Sequence, residues 1–442
     1  MQKHNSNYID IRVATEFLLL LLVFFIPLWP DFAAIKIGSM PDLNLQRLIF
    51  LPLSFSWFLF IIFVADARKR LILLIYNNRK VIMLTILYFS INFVSVLISP
   101  EFRMSLFASL NDFIYHLFLM IIALSIFNKP AQFKRIFIVL LSSGIFVSIL
   151  GFLEYIKGSN LFIGLIPVST EFIEQALSSK SREYYRVQST FGNPLGFAQY
   201  LILILPISFY ALRKYQSNFI KILGYLFLFI GSINILLTRA RSPIIVILVI
   251  VSIIIYKKYM KNINKIMSLA KAKLYVSILP VIISALIFSL ILIFSMFKGR
   301  SDLETGSNMV RVLQLQKGIP KIIESPLIGY GKGMAPEIIK VGRYSSNRYT
   351  VDNYYLSVAV DTGLPSLIIF ILIFIIFIRK SKTYTKIRYL ESEMQTLYWS
   401  VLAFMISIGA SSLKQSFPLV FLMFAMILAI QEYNRLIPER RS

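Results

Sequence analysis

Residues Asn353–Ile378 read NYYLSVAVDTGLPSLIIFILIFIIFI. Leu, Ile and Phe fill the second half of this stretch, with no apolar–polar alternation. About 20 apolar residues is the length a helix needs to cross the hydrocarbon core of a bilayer. A membrane barrel would instead alternate in strands of roughly ten residues. Lipid offers the backbone no hydrogen-bond partners, so only helices and closed barrels span it. The pattern selects the helix.

Working outward, comparable runs recur along all 442 residues. Spans are expected near Val13–Trp29, Leu48–Val64, Val81–Ile98, Ser105–Ile126, Phe133–Phe152 and Leu195–Leu212. Others follow near Ile220–Leu237, Ser242–Tyr256, Tyr275–Phe297, Asn353–Ile378, Thr396–Ser412 and Pro418–Tyr433. The expected fold class is an all-α integral membrane protein of about twelve transmembrane helices with two long extracytoplasmic loops. The regions would be an N-terminal five-span part (1–153), a first long loop (154–194) and a central four-span part (195–297). A second long loop (298–352) and a C-terminal three-span part with a cytoplasmic tail (353–442) complete the chain. The second loop contains an amphipathic stretch, Met309–Ile323, with Val312, Leu315 and Ile319 at helical spacing. That helix is expected to lie on the outer membrane surface or to cap the bundle.

Composition agrees. The chain is 57% hydrophobic and 15% charged, against roughly 25% charged in soluble domains. Its net charge of +25 could suggest a nucleic-acid binder. The Lys and Arg, however, sit in short clusters between apolar runs, as positive charge retained in cytoplasmic loops would. Such clusters are Arg68-Lys-Arg70, Arg79-Lys80, Lys134-Arg135, Arg213-Lys214, Lys257-Lys258 and Arg379-Lys380. The sorting puts both termini in the cytoplasm and both long loops outside. With no Cys, disulfides, thiolate nucleophiles and Cys-based metal sites are excluded. His4 and His116 are the only histidines, too few for a His-rich metal site. The first run lacks an Ala-x-Ala cleavage site, so it reads as a retained helix rather than a signal peptide.

Three outer segments pair Arg with small polar residues. They are Arg186 to Gly196, with Asn193; Thr238-Arg-Ala-Arg-Ser242; and the stretch holding Arg311. Arg239 and Arg241 stand at span ends, where a side chain can snorkel to the interface. They could anchor lipid phosphate or bind an anionic ligand, since a guanidinium fork matches phosphate oxygens bidentately. Asp352-Asn353 and Asp361-Thr-Gly363 open the tenth span. Two and a half helical turns separate Asp352 from Asp361, which puts them on opposite faces rather than in one dyad. Asp352 could cap the helix or act chemically. Gly363 and Pro365 would bend the helix. Asp112 and His116, at i,i+4, read as buried groups satisfying each other. Gly329-Tyr-Gly-Lys-Gly333 reads as a turn rather than a phosphate cradle.

In order and topology, Arg186 with Phe191-Gly-Asn-Pro194, Thr238-Arg-Ala-Arg241, Arg311 with Pro326-Leu-Ile-Gly-Tyr-Gly331, and Asp352-Asn-Tyr-Tyr-Leu356 with Asp361-Thr-Gly-Leu-Pro365 form a set. The set resembles the O-antigen polymerase and O-antigen ligase superfamily of bacterial envelope enzymes. The resemblance covers roughly Arg186 to Pro365, plus the span layout. It implies a metal-independent inverting glycosyltransferase of the cytoplasmic membrane, with no cofactor, acting at its outer face. The donor would be a glycan on undecaprenyl diphosphate. Arg241 and Arg311 would contact the diphosphate, and Asp352 would assist the acceptor hydroxyl. Arg186, Asn193, Arg239, Asn353 and Asp361 would line the substrate. Flippase and chain-length regulator proteins would be partners. Ligases of the superfamily typically carry His-Asn where this chain has Asp352-Asn353. That departure tilts the reading towards a polymerase of O-antigen or capsule, with a ligase as the alternative.

A transporter is the rival from another class, above all a flippase for the same lipid-linked oligosaccharide. Major-facilitator proteins have two six-span halves, yet the sixth and seventh spans here are joined by only a short connection, Arg213–Asn218. A flippase would line a central cavity with charge, whereas these arginines gather at outer ends.

Overall fold

The computed structural model describes residues 2–30, 33, 44–162, 185–266, 302–345, 348–382, 390–411 and 414–436. The regular structure of these residues is helical except for one small hairpin. The first half comprises α1 (Gln2–Leu28), α2 (Leu45–Phe63), α3 (Ala65–Asn77), α4 (Arg79–Val96) and α5 (Phe102–Asp112). A π turn (Phe113–Phe118) runs from α5 into α6 (Leu119–Ile126), and α7 is Pro130–Lys157. The second half holds α8 (Pro194–Lys214), α9 (Asn218–Leu237), α10 (Arg241–Ile266), α11 (Asp302–Glu324) and α12 (Ala335–Ile339). An antiparallel hairpin of β1 (Arg343–Ser345) and β2 (Arg348–Tyr349) precedes α13 (Tyr354–Lys382), α14 (Glu391–Ser407) and α15 (Phe417–Leu436).

Nine helices among the described residues are long and apolar enough to cross a membrane. They correspond to the first seven expected spans, the tenth and the twelfth. The eighth and eleventh are present as the shorter apolar stretch Arg241–Ile253 and the 17-residue α14. The expected span at Tyr275–Phe297 lies outside the described residues. One basic connection is itself ordered. Residues Ala65–Asn77 form α3, because Ala67, Leu71 and Leu74 recur at helical spacing and are buried.

Contacts define two ends of the bundle. At one end Lys380 Nζ donates to Asn78 Oδ1 and Gln431 Oε1, both at 2.9 Å. Asn77 bonds Glu432, Arg135 bonds Glu16 and Tyr210 bonds Glu393 there. This end collects the clusters Arg68-Lys-Arg70, Arg79-Lys80, Lys134-Arg135, Arg213-Lys214 and Arg379-Lys380. At the opposite end Thr190 bonds the Pro27 carbonyl, Val187 pairs with Leu237, and Gln199 donates to Ser407. Tyr354 N donates to Ile408 O there. The Arg motifs and the Asp352 segment all lie at this second end, opposite the basic one.

The core surrounds α15. Residues Phe417 to Ile430 are almost wholly enclosed and pack with side chains from most other helices in one continuous apolar cluster. A separate small cluster joins α11, α12 and the start of α13 through Val310, Leu313, Ala335, Ile339, Val341, Leu356 and Val360. The second expected loop is therefore a folded cap with its own core, and the amphipathic stretch is the helix α11.

The bend expected near Gly363 is larger than a kink. The rings of Tyr354 and Phe370 lie 5.4 Å apart. On a straight helix, sixteen positions would separate them by about 24 Å. The chain folds back at Gly363, whose φ of 80° and ψ of 172° are not helical. Residues 354–362 form one short helix, and residues 364–382, about 28 Å long, form the spanning one. Glycine is required at the turn. A Cβ there would sit 2.5 Å from the Leu327 carbonyl carbon and oxygen.

Gly363→Ala should therefore lower the melting temperature of the detergent-solubilised protein by more than Gly158→Ala. Both have positive φ, but Gly158 has open space around it. Backbone strain costs about 1–2 kcal/mol in the left-handed region of Gly158 and about 1–3 kcal/mol in the glycine-only region of Gly363, and only Gly363 adds the collision with Leu327.

Candidate functional site

The clearest meeting of expected residues is between α11 and the segment before α13. Arg311 Nε donates to Asp352 Oδ2 at 3.2 Å, although the two are 41 residues apart. Gln314, one turn along α11 from Arg311, accepts from Asp352 N at 3.0 Å and donates to Thr350 O at 2.8 Å. Gln314 thus fixes the backbone that presents the Asp352 carboxylate. The helix cap is Asn353, whose side chain accepts from Leu356 N at 3.2 Å. Asp352 is consequently not needed as a cap and faces a cavity of about 160 Å³. Arg311, Gln314, Leu315, Asn353, Leu356, Gly409 and Ala410 complete its lining. The Arg311 and Asp352 side chains are 37% and 29% exposed. An ion pair this open contributes at most about 1 kcal/mol to folding, so its groups stay accessible to a ligand.

The other Arg motif is assembled at the end of α9. Arg186 Nε donates to Thr238 O at 3.0 Å, and Val187 N donates to Leu237 O at 3.3 Å. The connection to α10 turns sharply, with Arg239 in the left-handed region at φ 49°. The Thr238 hydroxyl accepts from Ala240 N at 3.3 Å, and Arg241 begins α10. The strand-like segment that carries Arg186 hangs on Glu154, a buried carboxylate on the last turn of α7. Glu154 accepts from the Tyr185 hydroxyl and from the amides of Gln188 and Ser189. Burial, with the Glu154 carboxylate beside it, pushes the Tyr185 phenol above its ordinary pKa. Asn193 caps α8 by accepting from Leu195 N at 2.8 Å.

The two Arg-bearing pieces flank the same end of α14. Val246 of α10 packs with Ala403 of α14 and Ile202 of α8. Arg241 precedes Val246 by five residues, about 7.5 Å of helix, and Gly409 and Ala410 stand a similar distance beyond Ala403. Arg241 and the cavity wall formed by Gly409 and Ala410 therefore lie at the same end of the bundle.

Asp361 is turned away from this cavity. It is buried, and its Oδ1 accepts from Ala335 N at 2.6 Å. Asp352 and Asp361 do occupy separate environments, as their spacing implies. The glycine run beside Asp361 is a turn, with φ of 75°, 105° and 84° at Gly329, Gly331 and Gly333. It closes onto the fold-back of α13. Tyr330 N and Gly331 N donate to the carbonyls of Val360 and Asp361, and Pro326 O accepts from Leu364 N.

Lys332, inside that turn, reaches into the bundle. Its Nζ lies 3.1 Å from Asp112 Oδ2, with the two side chains 1% and 3% exposed. It also stands over the rings of Tyr88 and Tyr354. Lys414 approaches the same carboxylate at 3.8 Å. Burial alone would lower the Lys332 pKa. The surrounding groups, Tyr354 and Tyr88 with Asp112 and Asp361, outweigh burial and hold it above the ordinary lysine value. Asp112 thus has lysine partners that its sequence neighbours do not disclose, while His116 stacks on Phe421 at 5.1 Å. The π turn that follows Asp112 changes the register of the helix at this cluster.

The geometry now allows a comparison with known proteins. Residues 226–371 match the model of the O-antigen ligase family. This segment is similar to the O-antigen ligase domain. The match supports an O-antigen polymerase or ligase type of function in a membrane enzyme. No curated protein matches the chain. The matched segment contains Thr238 to Ser242, Arg311, Lys332, Asp352 and Asp361, while Arg186 and Asn193 precede it. Sequence reading passed over Gln314, Glu154 and Lys332. Gln314 carried a usable signal, at i+3 from Arg311. Lys332 carried one too, as a cation inside a glycine turn. Glu154 is recognisable only once Tyr185 and Ser189 fold onto it.

Lys332→Met would leave Asp112 buried with only the longer contact to Lys414. Removing one member of a buried pair costs about 3–5 kcal/mol. The variant should melt well below wild type in detergent, and adding Asp112→Asn should restore most of the loss.

Proposed function

We propose that the chain is a surface-polysaccharide polymerase of the O-antigen or capsule type. It transfers a glycan from undecaprenyl diphosphate to a lipid-linked repeat unit at the outer face of the bacterial cytoplasmic membrane. The reaction is inverting and needs no metal. The basic end of the bundle faces the cytoplasm, because Lys- and Arg-rich short loops are retained there. The opposite end, with Arg186, Arg239, Arg241, Arg311 and Asp352, faces outward.

The observation that carries this reading is the Arg311–Asp352 pair in an accessible cavity at the same end of the bundle as the Arg241 motif. The acceptor hydroxyl oxygen attacks the anomeric carbon, and the carbon–oxygen bond to the diphosphate breaks. The electron pair leaves with the diphosphate. Negative charge grows on that group, where preorganised guanidinium groups stabilise it strongly. An arriving diphosphate competes with Asp352 for Arg311 and so releases the carboxylate towards the acceptor hydroxyl. A carboxylate is a weak base, so it takes the proton late, once bond breaking has made the hydroxyl acidic. Asn353 and Asp361 act through the backbone they hold, Arg186 holds the Thr238 carbonyl next to the Arg241 motif, and Asn193 caps α8.

A ligase is the second reading, and the description of the matched family favours it. Asp352 in place of the histidine of the resembled ligases favours the polymerase. A flippase for the same lipid-linked substrate would need its charge deep in a central cavity.

The deciding experiment measures the size and attachment of surface polysaccharide in cells carrying Arg241→Ala, against wild type and a deletion. A polymerase leaves single repeat units. A ligase leaves long chains on the lipid carrier, and lipid-linked units retained on the cytoplasmic face would indicate a flippase. Unchanged polysaccharide in Arg241→Ala, with a defect in the deletion, would remove Arg241 from the site. With purified protein and lipid-linked substrate, Asp352→Asn should slow polymer formation by about 10²–10⁴-fold while shifting the melting temperature little.

A further inference from the structure

Helix α11 has three faces. At 100° per residue, Gln314 and Gly318 share the face packed on α13. Gln314 is buried, and a Cβ at Gly318 would lie 2.9 Å from Leu356 Cδ1. Lys317, Lys321 and Glu324 lie on a second, polar face. On the third, Met309, Val312, Leu315, Ile319 and Ile323 fall within an arc of about 120°. These five side chains are 60%, 44%, 44%, 50% and 73% exposed. The apolar periodicity that marks the helix in the sequence is therefore not the face it packs with.

The stripe does not end with the helix. Leu327, 68% exposed, follows it, and Leu364 N donates to Pro326 O at 2.7 Å. That bond sets Leu327 beside the first turn of residues 364–382. There Leu364, Ile368 and Leu372 present the exposed apolar side of a spanning helix. One apolar surface thus runs from a segment that crosses the bilayer onto α11. A contiguous patch of this kind is unusual on a water-facing surface. Lys317 lies about 80° beyond the edge of the stripe and Lys321 opposite it, as on interfacial helices that turn a polar side away from lipid.

We propose that α11 is an interfacial helix whose apolar stripe is immersed in the lipid leaflet at the site end of the bundle. Around the helix, Arg311 falls between Gly318 on the packed face and Leu315 on the stripe. Leu315 also lines the cavity with Arg311 and Asp352. The cavity therefore opens sideways to lipid along α11, with a guanidinium at its rim. That last consequence rests on the proposed function, because it supplies a lipid-anchored diphosphate with a lateral approach. The immersion itself does not.

The natural chain has no Cys, so single-cysteine variants of the full-length protein report one position each. Met309→Cys, Val312→Cys, Ile319→Cys and Ile323→Cys would carry a nitroxide label, with Lys317→Cys and Lys321→Cys as the polar-face set. The protein would be reconstituted in phosphatidylethanolamine–phosphatidylglycerol vesicles. Collision with molecular oxygen, which concentrates in lipid, is compared with collision with a water-soluble nickel chelate. The oxygen-to-nickel ratio should be several-fold higher at all four stripe positions than at the two lysine positions. Equal ratios on both faces would place the stripe in water and overturn the proposal. Exclusion of both reagents along the stripe would also overturn it, because protein rather than lipid would then cover the helix. No glycan enters the measurement, so either outcome is independent of whether the enzyme is a polymerase.

Discussion

A helix that breaks beside a membrane leaves carbonyls and amides that lipid cannot satisfy. At Gly363 the free groups are met by the segment from Pro326 to Ala335. Pro326 O accepts from Leu364 N, while Tyr330 N and Gly331 N serve the carbonyls of Val360 and Asp361. The Asp361 side chain returns a bond to Ala335 N. The fold-back and the glycine turn therefore satisfy each other. Lys332 pins the same turn to Asp112 in the fourth span.

The rest of the site end follows from that junction. The fold-back brings Tyr354 level with Phe370 and Phe417 and lets its amide bond Ile408. Asp352 and Asn353 are thereby set against the end of α14. The same turn leads back into α11, so Arg311 arrives beside Asp352 from a segment far away in sequence. Rigid elements carry the functional groups on both sides, with Gln314 locking the backbone between them. Under the proposed function, placement of this kind would serve electrostatic catalysis, which depends on charges already aimed at the leaving group.

The buried carboxylates at this end have a structural role. Glu154 collects the amides of the segment carrying Arg186, and Asp112 collects two lysines. Each would be costly alone in an apolar interior and is tolerated because it is paired. The effect is to hold the irregular backbone that carries the arginine motifs in fixed positions.

The spanning helices were legible in the sequence because hydrophobic length is a local property. So were the sorting of charge between the two ends and the helical character of Met309–Ile323. The arginine motifs and Asp352 could be chosen from residue type and neighbourhood, and the family resemblance rested on their order. Sequence could not say that Asn353, not Asp352, caps the helix, since both sit at its start. It could not show that Asp361 faces inward to an amide, or that Lys332 joins Asp112 across more than two hundred residues. The periodicity of α11 revealed a helix but not which face would pack, because an apolar stripe reads the same against protein or lipid. Those choices belong to tertiary structure. Pairing of buried charges and satisfaction of a broken backbone depend on groups that only the folded chain brings together.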